Sequence, residues 1–96
     1  MNARLSVATA IVLLTIGTAS ATEVPPGAAS CSGCHAANPR VETPVPPLAG
    51  RPAADITSQM IAFRSGQRPG TIMDRIAKGF SDEEIRAISA WYEQQK

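Results

Sequence analysis

The sequence predicts an all-α fold of three or four short helices, and three observations point to it. Beyond residue 50 the apolar residues recur at helical spacing, glycines and a capping pattern bracket those stretches, and no run alternates as a strand would. The chain has 96 residues, 44% of them apolar but only 4% aromatic, which leaves room for one small domain.

The first element is a targeting segment. Arg4 makes the start basic, Leu5 to Ile16 is twelve residues without a charge, and Ala19-Ser20-Ala21 offers the small residues that signal peptidase accepts. The apolar run falls short of the roughly 20 residues that span a bilayer. The expectation is therefore a cleaved export signal over residues 1–21, a folded domain over residues 22–96, a periplasmic destination and no stable membrane span after cleavage. Without Arg4 the remaining 75 residues carry eight charges of each sign. A neutral chain with no basic stripe is a poor candidate for nucleic acid or an anionic membrane surface. A domain of that size also needs a staple beyond its own core.

Thr22 to Ser30 is a short leader in which Pro25-Pro26 can open a helix that Ala28-Ala29 continue. It runs into Cys31-Ser32-Gly33-Cys34-His35, which holds both cysteines and the single histidine. A disulfide closing so short a loop would constrain the unfolded chain little. A thioredoxin-like pair would want a βαβ context, and a zinc site would want four Cys/His ligands where three are present. The spacing matches covalent haem attachment, C-x-x-C-H. Two thiols three positions apart on a helical turn can each form a thioether to one edge of the porphyrin, and the next residue is carried under the ring as proximal ligand. Ser32 and Gly33 are small enough to let the backbone pass close to the haem edge. Export agrees, because bacteria attach this haem outside the cytoplasm.

Ala36 to Pro52 carries five prolines and reads as a loop. Ala54 to Ser65 reads as a helix with Ile56, Met60 and Phe63 on one face and Gly66 as its stop. After a turn over Gln67 to Gly70, Thr71 to Lys78 forms a short helix ending at Gly79, with Ile72 and Ile76 facing inward. Ser81 and Glu84 form a capping box for the last helix, whose apolar stripe is Ile85, Ile88, Trp91 and Tyr92.

With one histidine, bis-His coordination is excluded, and the sixth iron position falls to methionine, lysine, water or nothing. Once Met1 has left with the signal, Met60 and Met73 remain. Met60 sits mid-helix, where methionine is usually core filler. Met73 follows the Pro69-Gly70 turn, 38 residues beyond His35, and is the favoured ligand. A His/Met pair raises the reduction potential and closes both axial sites, which suits electron transfer. Arg40, Arg51, Arg64, Arg68, Arg75 and Lys78 are all candidates for the haem propionates or for plain solvated charge. Trp91 and Tyr92 could serve a propionate or the electron path, or fill the core. Asp82, Glu83 and Glu84 read as first-turn acids that favour the helix dipole, not as a paired-carboxylate site.

The motif, Pro47-Leu48-Ala49-Gly50, the downstream methionine and the aromatic C-terminal helix together resemble a class I c-type cytochrome. The stretches from Ala62 to Pro69 and from Thr71 to Ile85 look most like the cytochrome subunit of flavocytochrome c sulfide dehydrogenase, and the likeness runs from Cys31 to Tyr92. The resemblance implies the class I cytochrome c fold around one haem c. It implies thioethers at Cys31 and Cys34, axial ligands at His35 and Met73, and no bond chemistry by the chain itself. The implied partner is a larger FAD-containing flavoprotein, in a heterodimer, that oxidises sulfide at a flavin and disulfide centre; a downstream cytochrome or other acceptor takes the electrons on. Some members carry two cytochrome domains, whereas this chain has a single haem motif. The helix before Cys31 is very short, so the usual packing of first helix on last has no obvious counterpart in the sequence. Two other readings stand beside this one: a free-standing soluble electron carrier, and a ligand-sensing haem protein with an open sixth site.

Overall fold

A computed structural model describes residues 11–12 and 23–95. All of the expected export signal except Ile11 and Val12 lies outside the described residues. Among those residues there are four α-helices and no strand: α1 (Ala28–Ser32), α2 (Ala53–Ser65), α3 (Met73–Ile76), extended by a 3-10 turn over Ala77–Gly79, and α4 (Asp82–Glu93). None of the described helices is long and apolar enough to cross a membrane.

The helix ends follow local chemistry. Pro52 precedes α2, where its missing N–H costs nothing, and Gly66 ends it at φ +80 with its N–H donating to the Phe63 carbonyl. The capping box of α4 forms in both directions. The Glu84 N–H donates to Ser81 Oγ at 3.2 Å, and the Ser81 N–H donates to Glu84 Oε1 at 3.1 Å. Asp82, Glu83 and Glu84 occupy its first turn, as their dipole reading requires. The third helix is shorter than expected. Thr71 and Ile72 stay outside it, and the chain tightens to 3-10 geometry over Ala77–Gly79.

The core is formed where α2 crosses α4. Ile56 and Met60 from α2 meet Ile85, Ile88 and Tyr92 from α4, with Ala28 and Ala77 completing the cluster. Each fully buried isoleucine contributes about 1.5–3 kcal/mol, so this small set is the main apolar contribution from protein alone. Phe63 and Trp91 are half-buried beside it. Ile72 and Ile76 correct the expectation that they face inward: they are 59% and 38% exposed, and Ala77 is the residue this segment buries.

Short as it is, α1 packs on α4. Gly27 has φ +90, and a Cβ there would overlap the Phe80 ring and stand 3.3 Å from Ile88 Cδ1. Only glycine permits both that conformation and that approach. Tyr92, fully buried, donates its phenol proton to the Ala28 carbonyl at 2.7 Å. The Ser32 hydroxyl completes the arrangement 2.6 Å from the phenol oxygen. The proline-rich loop is tied to the same helix, since the Gly50 N–H donates to the Tyr92 carbonyl at 2.9 Å. The same carbonyl also accepts from the Gln95 N–H at 3.1 Å, so the loop bond adds a second donor at the helix C-terminus.

Candidate cofactor site

The haem motif is a helical turn in its backbone. The Cys31 carbonyl accepts from the N–H groups of both Cys34, at 3.1 Å, and His35, at 2.8 Å. This carries the end of α1 one further turn and presents Cys31, Cys34 and His35 on one cavity wall. The two thiols are not joined to each other. Cys31 is half-buried, and that burial pushes its thiol above the ordinary range, partly offset by a backbone hydrogen bond.

His35 is oriented by the loop. Its Nδ1 lies 2.6 Å from the Pro46 carbonyl oxygen. A carbonyl only accepts, so this bond places the ring proton on Nδ1 and leaves the lone pair on Nε2. Fixing the tautomer through the other nitrogen is the usual way a protein readies a histidine for a metal. Nothing in the sequence marked Pro46 for this role, because its contribution is a main-chain oxygen.

The cavity has a volume of about 830 Å³, large for a domain of this size. One side is the loop, through Val45, Pro46 and Leu48. The other is helical, through Met60 and Phe63 of α2, with Ile85 and Ile88 of α4 beneath them. Met73, at the start of α3, also faces it, as do Ile72 and Ile76, which accounts for their exposure. Cys31, Cys34, His35 and Met73 therefore border one apolar space, and Met60 borders it too while standing in the core. An apolar macrocycle with two thioether anchors and an axial imidazole fits this donor set and these walls.

The six candidate cations separate clearly. Arg64 pairs with Asp82 and donates to the Phe80 carbonyl at 3.1 Å, so it ties the end of α2 to the start of α4. That pairing, first through the hydrogen bond and then through the charge, holds the Asp82 carboxyl below its ordinary value of 3.8. Arg40 borders a shallower groove of about 420 Å³ with Asn38 and Gln95. Arg75 and Lys78 lie outside the cavity wall, exposed to solvent as Arg68 also is. Arg51 and Arg68 border the cavity itself. Tyr92 belongs to the core, and its burial raises its phenol above the ordinary 10.0 despite the Ser32 hydrogen bond. Trp91 meets it edge to face, with ring centroids 4.9 Å apart.

No protein-family model matches the chain. Among curated proteins it is 37% identical over 71 residues to cytochrome c-554(548) of Halomonas halodenitrificans, covering 70% of this chain and 86% of that one. It is 35% identical over 63 residues to the cytochrome subunit of sulfide dehydrogenase of Chlorobaculum tepidum, covering 66% of this chain and 57% of the relative. A thiosulfate dehydrogenase electron acceptor of Thiomonas intermedia is 35% identical over 100 residues, which spans this whole chain and 45% of the relative. The chain thus spans less than two thirds of the length of two of these three relatives.

Proposed function

Because the chain belongs to the class I c-type cytochromes and carries haem c in an electron-transfer role, we propose that it is the electron-accepting cytochrome subunit of a sulfide-oxidising flavocytochrome c. In this reading Cys31 and Cys34 would hold the haem through thioethers, and His35 and Met73 would supply its two iron ligands. The bound haem supplies a one-electron Fe(III)/Fe(II) couple. Around it Pro46 holds His35 in the tautomer with Nε2 free. The apolar side chains of the loop, α2 and α4 keep water from the cavity. With His35 and Met73 both committed to the iron, no position would remain for oxygen or peroxide, in keeping with a carrier rather than a catalyst.

The observation that carries the electron-transfer reading is the apolar cavity that the motif residues and Met73 border together. The partner is supported by the likeness to a sulfide dehydrogenase cytochrome subunit. Residues 1–21 act as a cleaved export signal, and residues 22–96 as a periplasmic monohaem domain. A second reading, a free-standing carrier, is favoured by the match over 86% of the Halomonas cytochrome.

Purification from the native host separates these. A complex that contains a flavin-bearing subunit and reduces this haem on addition of sulfide supports the first reading. Reduction by thiosulfate and not sulfide moves the partner to the thiosulfate class, and elution as a lone chain without flavin favours the free carrier.

A further inference from the structure

The fixed charges on the cavity border are both positive, Arg51 and Arg68, in a wall that is otherwise mostly apolar. Arg68 is braced. Its Nη1 donates to Gln59 Oε1 at 2.9 Å, and its guanidinium carbon lies 4.8 Å from the centre of the Phe63 ring. Gln59 and Phe63 are themselves on the cavity wall, one turn apart on α2. The backbone beneath is fixed as well. The Arg68 N–H donates to the Ala62 carbonyl at 3.1 Å, and a Cβ on Gly70 would stand 3.0 Å from the Phe63 ring.

Holding an arginine this way costs side-chain entropy. Among the described residues no carboxylate takes up the charge, since the ion pair present there is Arg64 with Asp82. Gln59 occupies one of five N–H donors, and the planar fork left over matches a carboxylate bidentately.

We infer that Arg68, braced by Gln59 and Phe63, holds one of the two carboxylates of the bound haem and thereby raises the reduction potential. The inference rests on the proposed seat of the haem in this cavity. A carboxylate beside an apolar space is costly to leave unpaired. If unpaired, its negative charge also favours the more positive, oxidised iron. A permanent cation on that carboxylate cancels the bias and shifts the equilibrium toward the reduced protein.

The test is a potentiometric titration of the purified holoprotein at fixed pH and ionic strength. Arg68→Gln should move the equilibrium toward the oxidised form by about three- to tenfold, as expected for one charge removed at a partly screened distance. Arg68→Lys keeps the charge and loses the fork, so it should shift less. Gln59→Ala frees the guanidinium without removing it. It should shift in the same direction with a steeper dependence on salt, and it serves if Arg68→Gln fails to fold. Arg75→Gln removes an equal charge outside the cavity wall and should leave the potential near the wild-type value. The proposal is overturned if Arg68→Gln and Gln59→Ala leave the potential unchanged, if Arg75→Gln shifts it as far as Arg68→Gln, or if Arg51→Gln alone moves it. Haem attachment, read from intact mass, is measured separately. A wild-type protein without haem on Cys31 and Cys34 overturns the seat itself, whereas normal attachment with unmoved potentials overturns only the role of Arg68.

Discussion

Met60 and Met73 border the same cavity but do different work in the packing. Met60 is 8% exposed and touches the core formed with α4, while Met73 is half-buried at the first position of a four-residue helix. Met73→Ala should abolish the methionine-to-iron band at the red edge of the oxidised spectrum with a modest loss of stability. Met60→Ala should keep the band and cost about 2–5 kcal/mol, typical of a core methionine truncation. Loss of the band in Met60→Ala instead would reverse the ligand assignment. A second residue-scale prediction concerns Tyr92. Its phenol titrates above the ordinary 10.0 in the fold, chiefly because it is buried. Above that ordinary value the unfolded chain releases a proton that the folded chain retains, so stability falls as pH rises through the alkaline range. Tyr92→Phe should lose about 1 kcal/mol at neutral pH, the usual worth of a hydrogen bond, and show a flatter decline in alkaline denaturant titrations. That Cys31, Cys34, His35 and Met73 belong together could be read from spacing, because side-chain chemistry singles them out, and all four border the cavity. Pro46, Ser32 and Gln59 could not. The first acts through a main-chain oxygen, and the other two through contacts with elements far along the chain or with an arginine among several equal candidates.

At the scale of elements, the start of α4 is fixed by two devices that act on different groups. The capping box satisfies orphan N–H groups, so Ser81→Ala should cost about 1 kcal/mol in chemical denaturation without altering the haem spectrum. The Arg64–Asp82 pair joins that same end to α2 and depresses the Asp82 pKa. A depressed carboxylate contributes stability above its ordinary pKa and loses it as pH falls through the folded value. Asp82→Asn should therefore be less stable than wild type near neutrality and converge with it at strongly acidic pH. Parallel curves across that range would show that the pair adds nothing. Helices α2 and α4 were legible from period and punctuation, since Gly66, Ser81 and Glu84 act locally. The inward placement of Ile72 and Ile76 was legible only in part. Helical period shows which residues share a face, but not whether that face meets protein or a cavity.

At the scale of the molecule, a domain with four aromatics places several of its apolar side chains around a space of about 830 Å³. The cofactor is thus the expected centre of the fold, and its anchors should be indispensable. Replacing both Cys31 and Cys34 with Ala should leave haem extractable by acid solvent, whereas the wild type should retain it. The proposed export signal makes a prediction for the N-terminal side. N-terminal sequencing of the mature protein should begin at Thr22, and a start at Met1 would remove the export reading. The contact between α1 and α4 was hidden in the sequence because five helical residues carry almost no periodicity. It depends on the absence of a side chain at Gly27 and on a phenol 64 positions downstream of Ala28.

That last separation has a temporal meaning. Closing a loop of 64 residues costs about 3.7 kcal/mol in its length-dependent part at room temperature, which later contacts must offset. The residue that fastens the haem motif to its support lies 60 positions beyond Ser32. A chain made from its N-terminus presents both thiols before Tyr92 arrives. The motif is then accessible while it is still unfastened, and it is locked down only once α4 has formed and delivered its phenol.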